Sequence, residues 1–135
     1  MTAIGTLAIL AAASACRSVL EPEDVVGSYT ATRLLYSGDD NGDFLAEGGS
    51  ISLTLAAGGT TSGTMVVPGS LSESGDEESF DLTGTYTIVE ETDVIEFDHD
   101  ADTFLRDTQF EAEGNTLVAN PTFGGTTLDV VLTRQ

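Results

Sequence analysis

Few side chains in this sequence could do chemistry. Cys16 is the only cysteine and His99 the only histidine. A lone thiol makes no internal disulfide and cannot complete a four-ligand zinc site, so the reason for Cys16 must lie in its position. Two turns are rich in carboxylates. In one, Asp39, Asp40, Asn41 and Asp43 surround Gly42; in the other, Asp98, Asp100 and Asp102 alternate around His99. Hard cations want several oxygens from a flexible loop, which makes Asp39, Asn41, Asp43, Asp98, Asp100 and Asp102 candidate calcium ligands. Neither turn has the glycine and terminal glutamate of an EF-hand loop. Asp and Asn also favour turns for backbone reasons alone. His99 has no second histidine or free thiol with which to hold zinc. No nucleophile, base and orienting acid are spaced as a triad, and the carboxylates fall on loops and outward positions where water solvates them. The expectation is a non-enzyme without a cofactor.

The charge balance excludes further classes. There are 23 acidic residues against 4 basic ones, all arginine, for a formal net charge of -19. Nucleic-acid binding needs clustered Lys and Arg to displace counterions from phosphates, and no cluster exists. Docking on an anionic membrane by charge is excluded likewise. Acidity of this kind suits a protein that stays soluble and monomeric at high salt, where self-repulsion is screened.

Residues 1–15 read MTAIGTLAILAAASA, apolar or small from Ile4 to Ala13. The run is too short to span a bilayer, which takes about 20 residues, and has the length of the apolar part of a signal peptide. Ala13, Ser14 and Ala15 then precede Cys16. This resembles the lipobox of bacterial lipoproteins. That resemblance implies cleavage before Cys16, acylation (palmitate or similar chains) of the new terminus, and a membrane anchor of two or three chains, which holds stably where one does not. Arg17 follows the cysteine in place of an inner-membrane retention aspartate, which points to the outer membrane of a cell envelope, on its periplasmic or surface face. Residues 16–24 read as the acylated cysteine and a tether, and 25–135 as one domain.

From Val25 onward the pattern alternates at period two, broken by Gly, Asp, Asn and Ser clusters. It predicts eight strands: Gly27–Tyr36, Ile51–Leu55, Thr61–Val67, Phe80–Val89, Val94–Asp98, Thr103–Glu111, Thr116–Ala119 and Thr126–Arg134. Between the third and fourth lies a polar, mobile loop, PGSLSESGDEES. Every connection is too short for a helical crossover, so sequential antiparallel pairing is expected. The fold class is all-β: an eight-stranded up-and-down barrel, which removes exposed edges, or alternatively an open β-sandwich.

Gly27-Ser28-Tyr29, the segment LTGTYTIVEETDVIEF and the closing FEAEGNTLVANPTFGGTTLDVVLTRQ together resemble bacterial lipocalin-like domains, with Tyr in place of the opening Trp. The resemblance implies that Arg134 packs across Tyr29, and by analogy a binding role. The candidate barrel interior is Tyr29, Leu53, Leu55, Phe80, Leu82, Tyr86, Phe97, Phe104, Phe110 and Leu128. Leu35, Ile51, Met65, Ile88, Ile95, Leu117, Val130 and Leu132 are expected on the same face. Such an interior either holds a small hydrophobic ligand or is filled by its own side chains. Gly84 among large residues marks a strand bend or free volume. The first expectation is therefore a lipid-anchored ligand-binding module. The alternative is a structural or protein-interaction lipoprotein with a filled core and no ligand.

Overall fold

The computed structural model describes Leu20–Gln135; the leader, residues 1–15, and Cys16 lie outside the described residues. A short helix, α1 (Pro22–Val25), precedes eleven strands: β1 (Gly27–Gly38), β2 (Gly42–Asp43), β3 (Ser50–Leu55), β4 (Thr60–Val67), β5 (Glu78–Asp81), β6 (Gly84–Ile88), β7 (Val94–His99), β8 (Gln109–Glu113), β9 (Thr116–Ala119), β10 (Thr122–Phe123) and β11 (Thr126–Arg134). A single 3-10 turn, Phe104–Asp107, joins β7 to β8. Each of β1, β3, β4, β6, β7, β8, β9 and β11 pairs antiparallel with the next, and β11 returns to β1 from Tyr29↔Arg134 to Gly38↔Thr126. The sheet is thus a closed eight-stranded barrel, not an open sandwich. The remaining three strands, β2, β5 and β10, lengthen its edges at one end.

Alternation explains why these segments pair this way. β3 reads Ser-Ile-Ser-Leu-Thr-Leu, and Ile51, Leu53 and Leu55 are buried while the hydroxyls face outward. Full burial of such a side chain contributes roughly 1.5–3 kcal/mol, so one register is strongly preferred. Phe97 and Phe110 meet edge to face at 5.5 Å in the middle of the interior. Around them pack Tyr29, Leu82, Tyr86, Ile95, Leu117 and Leu132.

In four places the structure departs from the sequence expectation. β1 carries a bulge at Thr32, between Ala31↔Leu132 and Arg33↔Val131. Strict alternation from Tyr29 would send Arg33 and Leu35 inward. The extra residue turns Arg33 out to pair with Asp129 at 2.7 Å and buries Leu34 in place of Leu35. The fourth expected strand is two, β5 and β6. Asp81 Oδ1 accepts the Thr83 amide (2.9 Å) and hydroxyl (2.6 Å), which bends the chain there, yet both halves keep one register against β4. At the bend, a methyl group on Gly84 would meet the Asp98 carbonyl oxygen and come within 2.7 Å of His99 Cα. Close approach, not free volume, requires glycine there. The sixth expected strand begins only at Gln109. Thr108 Oγ1 donates to the Phe104 carbonyl (2.6 Å), Arg106 pairs with Asp102 (2.8 Å), and Leu105 is buried, which together favour a turn over a strand. Finally, His99 is not in a turn. It ends β7, 3 % exposed, with Nε2 2.8 Å from Thr103 Oγ1.

The two barrel ends differ. At the end where β1 starts and β11 finishes, the Arg134 guanidinium lies 6.0 Å from the Tyr29 ring centre. It donates to the Asp24 and Val26 carbonyls (2.9 and 3.3 Å) and to Asn115 Oδ1 (2.9 Å). Tyr29 OH donates to the Val25 carbonyl (2.7 Å), so α1 is tied across this end and closes it. Part of the segment read as a tether is thus structured. The other end collects the long connections, 39–49, 68–77, 100–108 and 120–125.

Candidate functional site

The mouth at the loop-rich end is built from residues that the strands deliver past the packed centre. The Thr32 bulge aims Leu34 and then Tyr36 into it. The last turn of β4 brings Met65 and Val67, and the first residues of β11 bring Thr126 and Leu128. Phe44 arrives from the β2–β3 connection. Its amide donates to the Leu34 carbonyl (3.0 Å), its carbonyl accepts the Gly49 amide (2.9 Å), and Asp43 Oδ1 accepts the next two amides, Leu45 (3.0 Å) and Ala46 (3.2 Å). Phe104, raised by the 3-10 turn, completes the wall. These side chains enclose a solvent-open pocket of about 320 Å³, lined mainly by carbon.

Leu71, on the 68–77 loop, lies over this pocket and is 37 % exposed. On its other side a second cleft of about 470 Å³ shares Met65, Val67, Leu71 and Phe104 with the first and runs on to Phe80 and Thr103. Through these shared side chains the two adjoin as one trough, its first part lined mainly by carbon and its second by polar and apolar atoms about equally. The loop carrying Leu71 is held by Ser70 Oγ donating to Glu47 (3.1 Å) and Ser72 Oγ donating to the Asp76 carbonyl (2.6 Å).

The charged groups lining the trough are all acidic. Asp40 stands at the first pocket, and Glu73, Glu78 and Asp102 at the second. Asp102 is paired with Arg106. Asp40, Glu73 and Glu78 make no ion pair among the described residues. Tyr36 OH donates to Glu47, and with the nearby carboxylates this pushes the phenol up to about 12, so it stays neutral.

No family model, curated protein or solved structure matches this chain.

The expected interior residues divide between two places. Tyr29, Leu53, Leu55, Leu82, Tyr86, Phe97 and Phe110 fill the barrel's middle. Phe80, Phe104 and Leu128 reach the trough, as does Met65. Sequence reasoning missed Leu34, Tyr36, Phe44, Val67 and Leu71. The signal for Leu34 and Tyr36 was Arg33, a charge that strict alternation would have buried. Phe44 and Leu71 carried the only other signal, being large apolar residues inside otherwise polar loops.

Asn41, Asp43 and Asp102 of the acidic turns spend their oxygens locally. Asn41 Oδ1 accepts the Gly38 amide (3.3 Å), Asp43 caps Leu45 and Ala46, and Asp102 holds Arg106. No group of three His, Cys, Asp or Glu that could hold a metal ion occurs among the described residues. A polar cleft of about 540 Å³ outside the barrel is lined by Glu96, Arg106, Asp107 and Gln109, with Asn120 and Pro121 at its edge. Its charges satisfy one another: Gln109 donates to Glu96 at 2.6 Å and Arg106 pairs with Asp102 and Asp107. Water solvates such a surface well, whereas the carbon-lined first pocket gains by excluding water. No helix among the described residues is long and apolar enough to cross a membrane.

Proposed function

We propose that this protein is a lipid-anchored, lipocalin-like module of a cell envelope that holds a small hydrophobic ligand in the trough at its open mouth. The carrying observation is the apolar pocket of about 320 Å³ lined by Leu34, Phe44, Met65, Phe104 and Leu128. Ligand sites are concave and mostly apolar, with a few polar groups, and begin at about this size. Tyr36 and Thr126 supply the polar groups here. The likeness of Ala13–Cys16 to a lipobox supports the anchor. α1 lies at the closed end, so the described chain begins away from the mouth, which suits an anchor on the residues before it. The binding is non-covalent, and the module does no chemistry on its ligand.

The filled middle of the barrel favours a second reading, a structural lipoprotein without a ligand. Native mass spectrometry of the full chain, purified from a bacterial envelope, separates the two. The first reading expects a one-to-one adduct in the mass range of a lipid, lost on delipidation and regained with an added neutral alkyl amphiphile. A bare polypeptide that takes up no such amphiphile would leave only the structural reading. The same spectra test the anchor. Mature protein should start at Cys16 with acyl mass added, and Cys16→Ser should remain unprocessed.

A further inference from the structure

We infer that the trough selects an amphiphile with a cationic head, such as a long-chain ammonium, and rejects fatty-acid anions. This rests on the ligand-binding reading above and adds the ligand's charge. An apolar chain laid in the trough beneath Leu71 has its head at one of two exits. Asp40 lines the first pocket, and Glu73, Glu78 and Asp102 line the second. No Lys, Arg or His lines either pocket. The nearest guanidinium, Arg106, is held by Asp102 at 2.8 Å and Asp107 at 3.8 Å, and donates to the Asp100 carbonyl at 3.4 Å. A carboxylate head would therefore meet like charge whichever way the chain lay, since the guanidinium next to the second cleft is already engaged by Asp102 and Asp107. An ammonium head would meet opposite charge in either pocket. The Tyr36 phenol is a donor already committed to Glu47 and is not free to bind a carboxylate.

The charges are exposed, so each acts through water-like screening and changes affinity by only about threefold at low salt. Two or three acting together give about tenfold between a cationic and a neutral head of equal chain, and more against an anion. Isothermal titration of the full chain with dodecyltrimethylammonium, dodecyl maltoside and dodecanoate, each below its micelle concentration, reads this order directly. The expected order is ammonium tightest by about tenfold, maltoside next and dodecanoate weakest, each at one site, with the spread collapsing in 1 M NaCl. Glu73→Gln/Glu78→Gln changes two exposed carboxylates and should shrink the ratio of ammonium to maltoside affinity severalfold. If ammonium binds no tighter than maltoside, or dodecanoate binds as well as either, the charge inference is wrong and the ligand-binding reading stands. If the full preference survives in the double variant, it comes from the net charge of the whole surface, and the inference is again wrong. If none of the three binds, the ligand-binding reading itself has failed.

Discussion

His99 shows what burial does to a single side chain. It is 3 % exposed, its Nε2 is 2.8 Å from Thr103 Oγ1, and its Nδ1 has no partner among the described residues. Burial disfavours the charged ring and lowers its pKa below the ordinary value of about 6.5, and Arg106 adds to this. Asp98, Asp100 and Asp107 pull the other way without reversing it. A lowered histidine pKa means that the unfolded chain binds the proton more readily than the folded one. Stability is thus intact above about pH 6.5 and falls as the pH drops below that towards the folded-state pKa. Melting curves of the wild type should shift down between pH 7.5 and 5.5. His99→Gln, which cannot titrate, should show a flatter profile over that window, whatever its absolute stability. Equal slopes in the two proteins would mean that carboxylates, not His99, control this range. The burial of His99 was not legible in the sequence. Its flanking aspartates read as a turn, whereas the alternation Ile95, Phe97, His99 carries through to the strand's last residue. Arg33 was the opposite case. Its charge was visible, and the cost of burying it would have located the bulge that buries Leu34 in place of Leu35.

Among the elements, the strands legible from sequence were those whose alternation is unbroken: β3, β7, β9 and β11 keep their expected faces. What was lost lies where a side chain bonds to its own backbone. Asp81 on Thr83 splits one strand, and Thr108 on Phe104 converts the start of another into a 3-10 turn. Such local bonds compete with a ladder and leave no period to detect. The trough takes Leu34, Tyr36, Phe44 and Phe104 from such irregularities and Met65, Val67 and Leu128 from regular strands, which is why only part of its lining was legible. β4 adds a constraint of its own. Gly63 has φ +135°, and a methyl group there would overlap the Ser52 carbonyl oxygen on β3 and meet its carbon at 2.9 Å. Both backbone conformation and space forbid a side chain. Gly63→Ala should destabilise by about 3 kcal/mol or more, read from the urea midpoint at constant m. Gly58, in the β3–β4 turn, has open space around it, and Gly58→Ala should lie within about 1 kcal/mol of wild type. A Gly63→Ala midpoint near that of wild type would mean that β3 and β4 are not this close.

For the whole molecule, closure and charge act against each other. The ring from β1 to β11 leaves no long exposed edge, so nothing in the strand pairing needs a partner chain. Against that stands a formal net charge of -19 on a small barrel. Among the described residues the cations are Arg33, Arg106 and Arg134. The first two sit in exposed ion pairs of the kind worth about 0–1 kcal/mol, and the third is engaged with carbonyls at the closed end. Most carboxylates therefore repel one another across a compact surface, and unfolding relieves that by spreading them along the chain. Screening should restore the lost stability. The Debye length is about 10 Å at 0.1 M salt and about 3 Å at 1 M. Melting temperature should rise by several degrees from about 20 mM to 1 M NaCl, since about 1 kcal/mol corresponds to about 4 °C for a domain of this size. The shape of the rise identifies its cause. Screening saturates, so most of the gain should come below about 0.5 M, whereas exclusion of salt from the surface would raise stability in proportion to concentration throughout. A melting temperature indifferent to salt, or falling with it, would mean that the carboxylates are already spaced widely enough on the barrel for their repulsion not to matter.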